Sequence, residues 1–87
     1  MDRQYGQIIV DRIRTLCKTR GISITKLAEM SDVKHSTLDN IMQGNSLNPG
    51  IGTIHKVALA FNMTLSEFTD YPAMNDYSFE KDEDEED

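Results

Sequence analysis

The stretch "ITKLAEMSDVKHSTLDNIM", residues 24–42, decides the fold of this chain. Two short segments with helical spacing flank the turn "SDVK", and the apolar positions that matter are Leu27, Ala28, Val33, Leu38 and Ile41. Where two short helices cross steeply, a small residue must lie at the crossing and an apolar residue must plug the turn. Ala28 and Val33 meet those two requirements. The stretch therefore predicts a helix over residues 24–31, a sharp turn, and a second helix over residues 35–43.

Helical spacing continues on both sides of this central pair. Apolar side chains recur every three or four residues over 5–20 and again over 51–61. Gly21 and Asn62 tolerate a left-handed backbone and end those two helices, and "TLSE", residues 64–67, has the capping-box spacing that begins a fifth. Because no useful run alternates apolar and polar residues, the sequence predicts an all-α fold of five short helices. The further residues expected in the core are Tyr5, Ile9, Ile13, Leu16, Cys17, Met30, Met42, Ile51, Ile54, Val57, Ala58, Phe61, Met63, Leu65 and Phe68.

The negative charge of the chain is concentrated at its C-terminal end. The formal net charge is −6 at pH 7. Residues 1–70 carry eight basic and seven acidic side chains, a net of +1, whereas residues 71–87 carry one basic and eight acidic side chains, a net of −7. A run such as "EKDEDEED" repels itself and has no apolar surface to bury. We therefore predict one folded domain over residues 1–70 and an acidic, disordered tail over residues 71–87.

Composition excludes several classes of protein. A chain of 87 residues buries enough surface for one domain only. It has no apolar run near the ~20 residues of a membrane span and begins with no basic-then-apolar signal segment, so we expect a cytoplasmic protein without membrane contacts. Cys17 has no disulfide partner, and no Cys/His cluster offers zinc ligands. Without a catalytic triad or a glycine-rich phosphate loop, the sequence predicts neither an enzyme nor a cofactor.

The order of these segments and their motifs resemble a known family. The resemblance covers "RIRTLCKTRGISITKLAEMSDVKHSTLDNIMQG" and "NPGIGTIHKVALAFNMTLSEF", together about residues 12–68. The "LA", the "STL", the Gly after the third helix and the "T..KVA.AF" pattern are similar to the Cro and phage-repressor (Xre-like) helix-turn-helix family. That resemblance implies a compact five-helix, lambda-repressor-like DNA-binding domain with its helix-turn-helix at helices 2 and 3. It also implies a transcriptional regulator, a repressor, that acts as a homodimer on a two-fold symmetric DNA operator.

Three residues depart from the pattern of that family. Ile24 stands where the family usually has a Gln that contacts backbone phosphate and braces the third helix, so we expect that contact to be absent. Asp32 replaces the usual turn Gly, a change that Asp accommodates because it visits positive φ more easily than most residues. Lys34 replaces the usual Ser cap, which should cost about 1 kcal/mol of capping but places a cation beside the groove.

The outer face of the predicted helix over residues 35–43 is entirely polar. Successive residues of a helix are rotated by about 100°. When the apolar residues face the core, the residues that point outward or to the flanks are His35, Ser36, Asp39, Asn40 and Gln43. The resemblance implies that base edges are read by His35, Ser36, Asp39 and Asn40. Asn can pair with adenine through two hydrogen bonds and Asp can accept from cytosine, each worth ~1–3 kcal/mol of discrimination. The alternative is that this face is only solvated, above all at Asp39, whose charge DNA repels.

Phosphate contacts should surround that helix, because they hold it in register without reading sequence. The candidates are Ser23, Thr25, Lys26, Lys34, Gln43, Asn45, Ser46, Thr53 and Lys56. Free backbone N–H groups at helix starts also favour anions. We interpret Arg14, Lys18 and His55 as ordinary surface residues.

The near-neutral domain and its acidic tail leave two hypotheses for partners. One domain binds DNA weakly, so a regulator should place two copies on half-sites ~34 Å apart, and the tail would then oppose non-specific binding to phosphates. The alternative is an antitoxin-like or anti-repressor module whose acidic, aromatic tail binds a protein partner. An apolar patch for self-association or partner binding would comprise Leu59, Tyr71, Met74, Tyr77 and Phe79.

Overall fold

The regular structure of the described residues is helical. The computed structural model describes residues 3–45 and 49–79, with side chains from Tyr5 onward. Within these residues there are six helices and no strand: α1 Arg3–Arg20, α2 Ile24–Ser31, α3 His35–Met42, α4 Ile51–Ala60, α5 Leu65–Thr69 and α6 Pro72–Asn75. α2 packs on α3 and α4, α1 packs on α3 and α6, and α4 packs on α5. The predicted all-α fold, with its helix-turn-helix at α2 and α3, is confirmed, and α6 is a sixth helix in addition to the five predicted. None of these helices is long and apolar enough to cross a membrane.

Besides α2, whose C-cap is Asp32, three of the helices end with a residue in the left-handed region. The φ angles are +66° at Gly21, +80° at Gly44 and +61° at Asn62. In each case the N–H of the next residue returns to a carbonyl five residues earlier, which satisfies an otherwise unpaired group of the last turn. These hydrogen bonds join Ile22 to Cys17 at 2.9 Å, Asn45 to Asn40 at 3.0 Å and Met63 to Ala58 at 3.0 Å. The predicted ends at Gly21 and Asn62 are confirmed.

Side chains cap the starts of α2 and α5. The Ser23 hydroxyl accepts the Lys26 N–H at 3.0 Å. The Thr64 hydroxyl accepts the Glu67 N–H at 3.0 Å, and the Glu67 carboxylate accepts the Thr64 N–H at 2.8 Å, so the predicted capping box is present. At the start of α3, the Lys34 side chain forms no cap, as predicted from the presence of Lys in place of the family's Ser.

The core consists of apolar side chains from α1 to α5 and from the turn between α2 and α3. The buried hydrophobic residues are Ile9, Val10, Ile13, Leu16, Cys17, Leu27, Ala28, Val33, Leu38, Ile41, Ile54, Val57, Ala58, Phe61 and Phe68. All five apolar positions that define the helix-turn-helix are among them. Asp32, in the turn, has φ +59° and ψ +32°, so the residue in place of the family's Gly adopts the left-handed conformation that was expected of it.

Two of the predicted core residues are exposed, and those predictions are wrong. Met30 is 45 % exposed, because the buried side of α2 is formed by Leu27, Ala28 and Ser31 and Met30 lies off that stripe. Ile51 is 67 % exposed, because it lies in the first turn of α4, one turn before the core begins at Ile54.

Residues 71–79 continue the folded domain beyond its predicted boundary at residue 70. The Tyr71 hydroxyl donates to the Ile8 carbonyl at 3.2 Å. The Tyr5 ring contacts Tyr77 and Phe79 with centroids 5.2 and 5.3 Å apart. The prediction of a disordered tail is therefore corrected for residues 71–79, because their aromatic side chains have apolar surface that α1 can cover. The acidic run over residues 80–87 lies outside the described residues.

Candidate nucleic-acid interface

The outward side of α3 carries two of the predicted base-reading residues, side by side. Leu38 and Ile41 are 0 % and 2 % exposed and face the core. Ser36 and Asn40 are exposed, and their four-residue spacing places them on one side of the helix. An eight-residue helix is therefore buried along one side and presents hydroxyl and amide groups to solvent along the other.

His35 and Asp39, the other two predicted base-reading residues, contact each other. His35 Nδ1 lies 3.0 Å from Asp39 Oδ2, with both side chains partly exposed. On the opposite edge of the ring, His35 Nε2 lies 3.2 Å from the Thr25 hydroxyl. The imidazole is thus held between the start of α2 and the middle of α3. Its two nitrogens have protein partners, whereas the exposed side chains of Ser36 and Asn40 have none among the described residues.

The contact between Thr25 and His35 links the two helices of the motif. Ile24, the residue in place of the family's Gln, is apolar and partly buried against the core. The next residue along the chain provides a polar link instead. Sequence reasoning missed it because residues 25 and 35 become neighbours only when α2 and α3 cross.

A cleft lies between the turn before α3 and the first turns of α4. Its volume is about 430 Å³, and it is lined by Asp32, Val33, Lys34, Thr37, Gly52, Thr53 and Lys56. Lys34, Thr53 and Lys56 are three of the predicted phosphate-binding residues. Neither α3 nor α4 has a side-chain cap at its start, so first-turn N–H groups of both helices lack that partner. The two lysines outnumber the one carboxylate of the lining, that of Asp32. Together with two helix starts, whose dipole ends are positive, they suit an anion such as phosphate.

Thr37 belongs to this cleft and was missed by the sequence analysis. Its side chain is partly exposed and lines the cleft beside Lys34. The signal was available, because residues 34 and 37 are three apart and lie on the same side of a helix.

The remaining predicted phosphate-binding residues have more varied surroundings. Ser23, Thr25 and Lys26 are exposed at the start of α2, and Lys26 pairs with Glu29 at 3.9 Å. The Asn45 amide donates to the Gln43 side-chain oxygen at 3.3 Å just after α3. Ser46 lies outside the described residues.

Several residues interpreted as ordinary surface or core behave so. Arg14, Lys18 and His55 are exposed. Cys17 is buried, and burial raises the pKa of its thiol above the usual value. Of the apolar patch proposed around Leu59, Tyr71, Met74 and Tyr77 are only partly exposed and contact α1 or the core, whereas Phe79 is 50 % exposed. Leu59 itself is 61 % exposed.

Comparison with known proteins shows the family to which this chain belongs. Residues 12–73 match the model of the Cro/C1-type HTH DNA-binding domain. That match covers most of the chain, and the protein belongs to this family of helix-turn-helix DNA-binding domains.

Among curated proteins, the chain is similar to the HTH-type transcriptional regulator PuuR of Escherichia coli (strain K12). The two are 31 % identical over 65 residues, which are 75 % of this chain and 35 % of that protein. The regulator of the same name from Shigella flexneri matches equally well. The chain thus spans about a third of the length of these curated relatives.

Among solved structures, the fold is similar to that of the prophage Lp1 protein 11. The TM-score is 0.73 at 26 % identity, over 80 % of this chain and 92 % of that one. An HTH_3 family transcriptional regulator from Vibrio cholerae has a TM-score of 0.69 at 29 % identity, over 78 % of this chain and 38 % of that one.

Proposed function

We propose that the protein is a sequence-specific DNA-binding transcriptional regulator, a repressor, which inserts α3 into the major groove of a double-stranded DNA operator. The observation that carries the proposal is the exposure of Ser36 and Asn40 on a helix whose opposite side is buried. An α-helix with its side chains is about 10–12 Å in diameter, which suits a major groove about 12 Å wide. In this proposal Asn40 and Ser36 contact base edges.

The cleft beside α3 takes the DNA backbone in this proposal. Lys34 and Lys56 are the exposed cations of its lining, and Thr37 and Thr53 supply hydroxyl groups. Such contacts hold the reading helix in register and carry no sequence information. The exposed hydroxyl of Ser23 and the amide of Gln43 would contact phosphates at the two ends of the helix-turn-helix.

The proposal includes a homodimer that acts in the cytoplasm and has no catalytic step. Residues 1–70 carry a net charge of only +1, so a single domain has little electrostatic attraction for DNA. Two domains on half-sites about 34 Å apart would supply the missing affinity and the specificity.

Selection of bound fragments from random double-stranded DNA, run at two salt concentrations, tests this function. We expect an enriched motif with two-fold symmetry, and a lower yield at the higher salt because phosphate contacts weaken as counterions compete. An enriched motif without symmetry contradicts the homodimer. Recovery of unrelated fragments at both salt concentrations contradicts sequence-specific binding.

The acidic segment over residues 80–87 reduces non-specific DNA binding in this proposal. It carries seven acidic side chains and Lys81, a net of −6. It follows Phe79, whose ring packs on Tyr5, and Tyr5 lines a groove together with Gly50 and Ile51 at the start of α4. Gly52, Thr53 and Lys56 of the same helix line the phosphate cleft.

Truncation after Phe79 tests this role and leaves the aromatic contacts intact. It would change the formal charge of the chain from −6 to 0, so we expect tighter binding to random-sequence DNA, most clearly at low salt. Unchanged binding to random DNA contradicts the role. The alternative from the sequence, a protein partner of the tail, is favoured if the truncated protein keeps its DNA affinities but no longer forms a complex with a protein that binds the full chain.

A further inference from the structure

The imidazole of His35 has a protein partner at each nitrogen. Asp39 Oδ2 lies 3.0 Å from Nδ1 and the Thr25 hydroxyl lies 3.2 Å from Nε2. An ionised carboxylate can only accept, so Nδ1 carries a proton and donates. Nε2 either accepts a hydrogen bond from the Thr25 hydroxyl or donates one to its oxygen. It has a partner in both cases. A ring held in this way has no nitrogen left for a base edge.

We propose that His35 is a positioning residue that holds Asp39 toward the DNA, and that Asp39, not His35, selects a base, namely cytosine. The contact with His35 uses one oxygen of the carboxylate, Oδ2, and leaves Oδ1 to accept a hydrogen bond. This proposal rests on the proposed function, since it concerns the sequence that α3 reads.

The preference for cytosine follows from the chemistry of a carboxylate in the major groove. Guanine offers two acceptors there, and thymine offers an acceptor and a methyl group. Adenine has an N6 amino donor beside an N7 acceptor that would repel a carboxylate, whereas cytosine offers the N4 amino donor and no acceptor of its own. A carboxylate that faced acceptors would lose its hydration without replacement and would also be repelled by the phosphates. The His35 N–H offsets part of that cost, because a charge-assisted hydrogen bond holds the carboxylate in one orientation.

The Thr25 contact gives the arrangement its rigidity. A His–Asp pair four residues apart on one helix could rotate as a unit around the two side-chain bonds. The hydrogen bond to Thr25 anchors the ring to a second helix, α2. Both helices of the motif thereby hold the Asp39 carboxylate in place. Accurate placement against a base requires such support.

Base preferences of full-length variants test the proposal. The probe is the operator selected by the wild-type protein, together with all single-base changes of one half-site. We expect Asp39→Ala to reduce the preference for cytosine at one position by about tenfold, and His35→Ala to reduce it at the same position by a similar factor. The double variant should lose no more than the larger single loss, because the two residues act as one unit.

Two further variants separate positioning from a general effect on folding. His35→Asn places an amide N–H where Nδ1–H lies, so it should retain the cytosine preference that His35→Ala loses. His55→Ala, at an exposed histidine on α4, should leave every preference unchanged.

The proposal is overturned if His35→Ala alters a different position from Asp39→Ala, since His35 would then read a base of its own. It is also overturned if His35→Ala weakens all sequences equally, or if Asp39→Ala changes no position. A wild-type protein that selects no motif at all would instead contradict the proposed function, on which this inference rests.

Discussion

The Arg12 Nε–H donates to the carbonyl oxygen of Phe68 at 3.0 Å, which joins α1 to α5 across 56 residues of chain. A second guanidinium nitrogen donates to the Glu67 carbonyl at 3.1 Å. The same guanidinium lies 4.7 Å from the centre of the Tyr71 ring. Arg12 therefore satisfies carbonyls at the end of α5 and also contacts the residue that begins the C-terminal extension.

Replacement of Arg12 should destabilise the fold. Hydrogen bonds from a charged donor contribute about 1.5–3 kcal/mol in favourable settings, so we expect Arg12→Ala to lower the free energy of unfolding by about 2 kcal/mol. Urea denaturation followed by circular dichroism measures this. Arg14→Ala is the matched control, because Arg14 makes only an exposed ion pair with Asp11 at 4.0 Å, worth under about 0.5 kcal/mol. Equal losses in the two variants would contradict the structural role of Arg12.

Tyr71 should make the stability fall at high pH. Burial raises the pKa of Tyr71 to about 12, against the opposing attraction of Arg12. The unfolded chain releases the phenolic proton near pH 10, so the contribution of this group is fully present below about pH 10 and is lost as the pH rises toward 12. In addition, the ionised oxygen can no longer donate to the Ile8 carbonyl.

Comparison with Tyr71→Phe isolates this effect from the titration of other groups. We expect the wild type to be the more stable protein at pH 8, by urea denaturation, and its advantage over Tyr71→Phe to shrink or reverse at pH 11. An advantage that stays constant between the two pH values would mean that the hydroxyl is not buried as described.

Lys34→Ser should change stability and DNA affinity in opposite directions. Lys34 stands at the N-cap of α3 without a side-chain hydrogen bond, and a Ser at such a position typically adds about 1 kcal/mol. The same change removes a cation from the rim of the proposed phosphate cleft. We therefore expect a higher midpoint of thermal unfolding. We also expect weaker DNA binding, with a slope of log K against log[salt] that is shallower by about 1, because one phosphate contact is lost.

Ser23→Ala provides the comparison for the capping half of that prediction. Ser23 does make a cap to the Lys26 N–H, so its loss should lower stability by about 1 kcal/mol. If Lys34→Ser stabilises the protein but leaves DNA affinity and salt dependence unchanged, Lys34 does not contact phosphate.

The helices were predictable because their ends depend on local chemistry. Gly21 and Asn62 supply left-handed stops, and Thr64 with Glu67 forms its capping box within four residues. The buried side of α3 was equally predictable, since the spacing of Leu38 and Ile41 determines which way the helix faces. None of these features requires knowledge of the rest of the chain.

The features that sequence analysis missed depend on contacts between distant residues. The Tyr71 hydroxyl contacts Ile8, 63 residues earlier in the chain. The composition of residues 71–87 predicts a disordered tail and gives no sign of that contact. The His35 ring meets Thr25 only because α2 and α3 cross. Ile51 fits the helical stripe of α4, but its exposure depends on where the neighbouring helices end.

DNA binding by the Asn40→Ala variant tests most directly the central claim, which is that α3 reads base edges. The measurement is the dissociation constant for the selected operator and for random-sequence DNA of the same length, at one salt concentration, with Asn75→Ala on α6 as a matched control. We predict that Asn40→Ala weakens operator binding by about tenfold and changes binding to random DNA by less than about twofold, while Asn75→Ala changes neither. An equal loss on both DNAs, or no loss on the operator, would contradict the claim that α3 reads base edges.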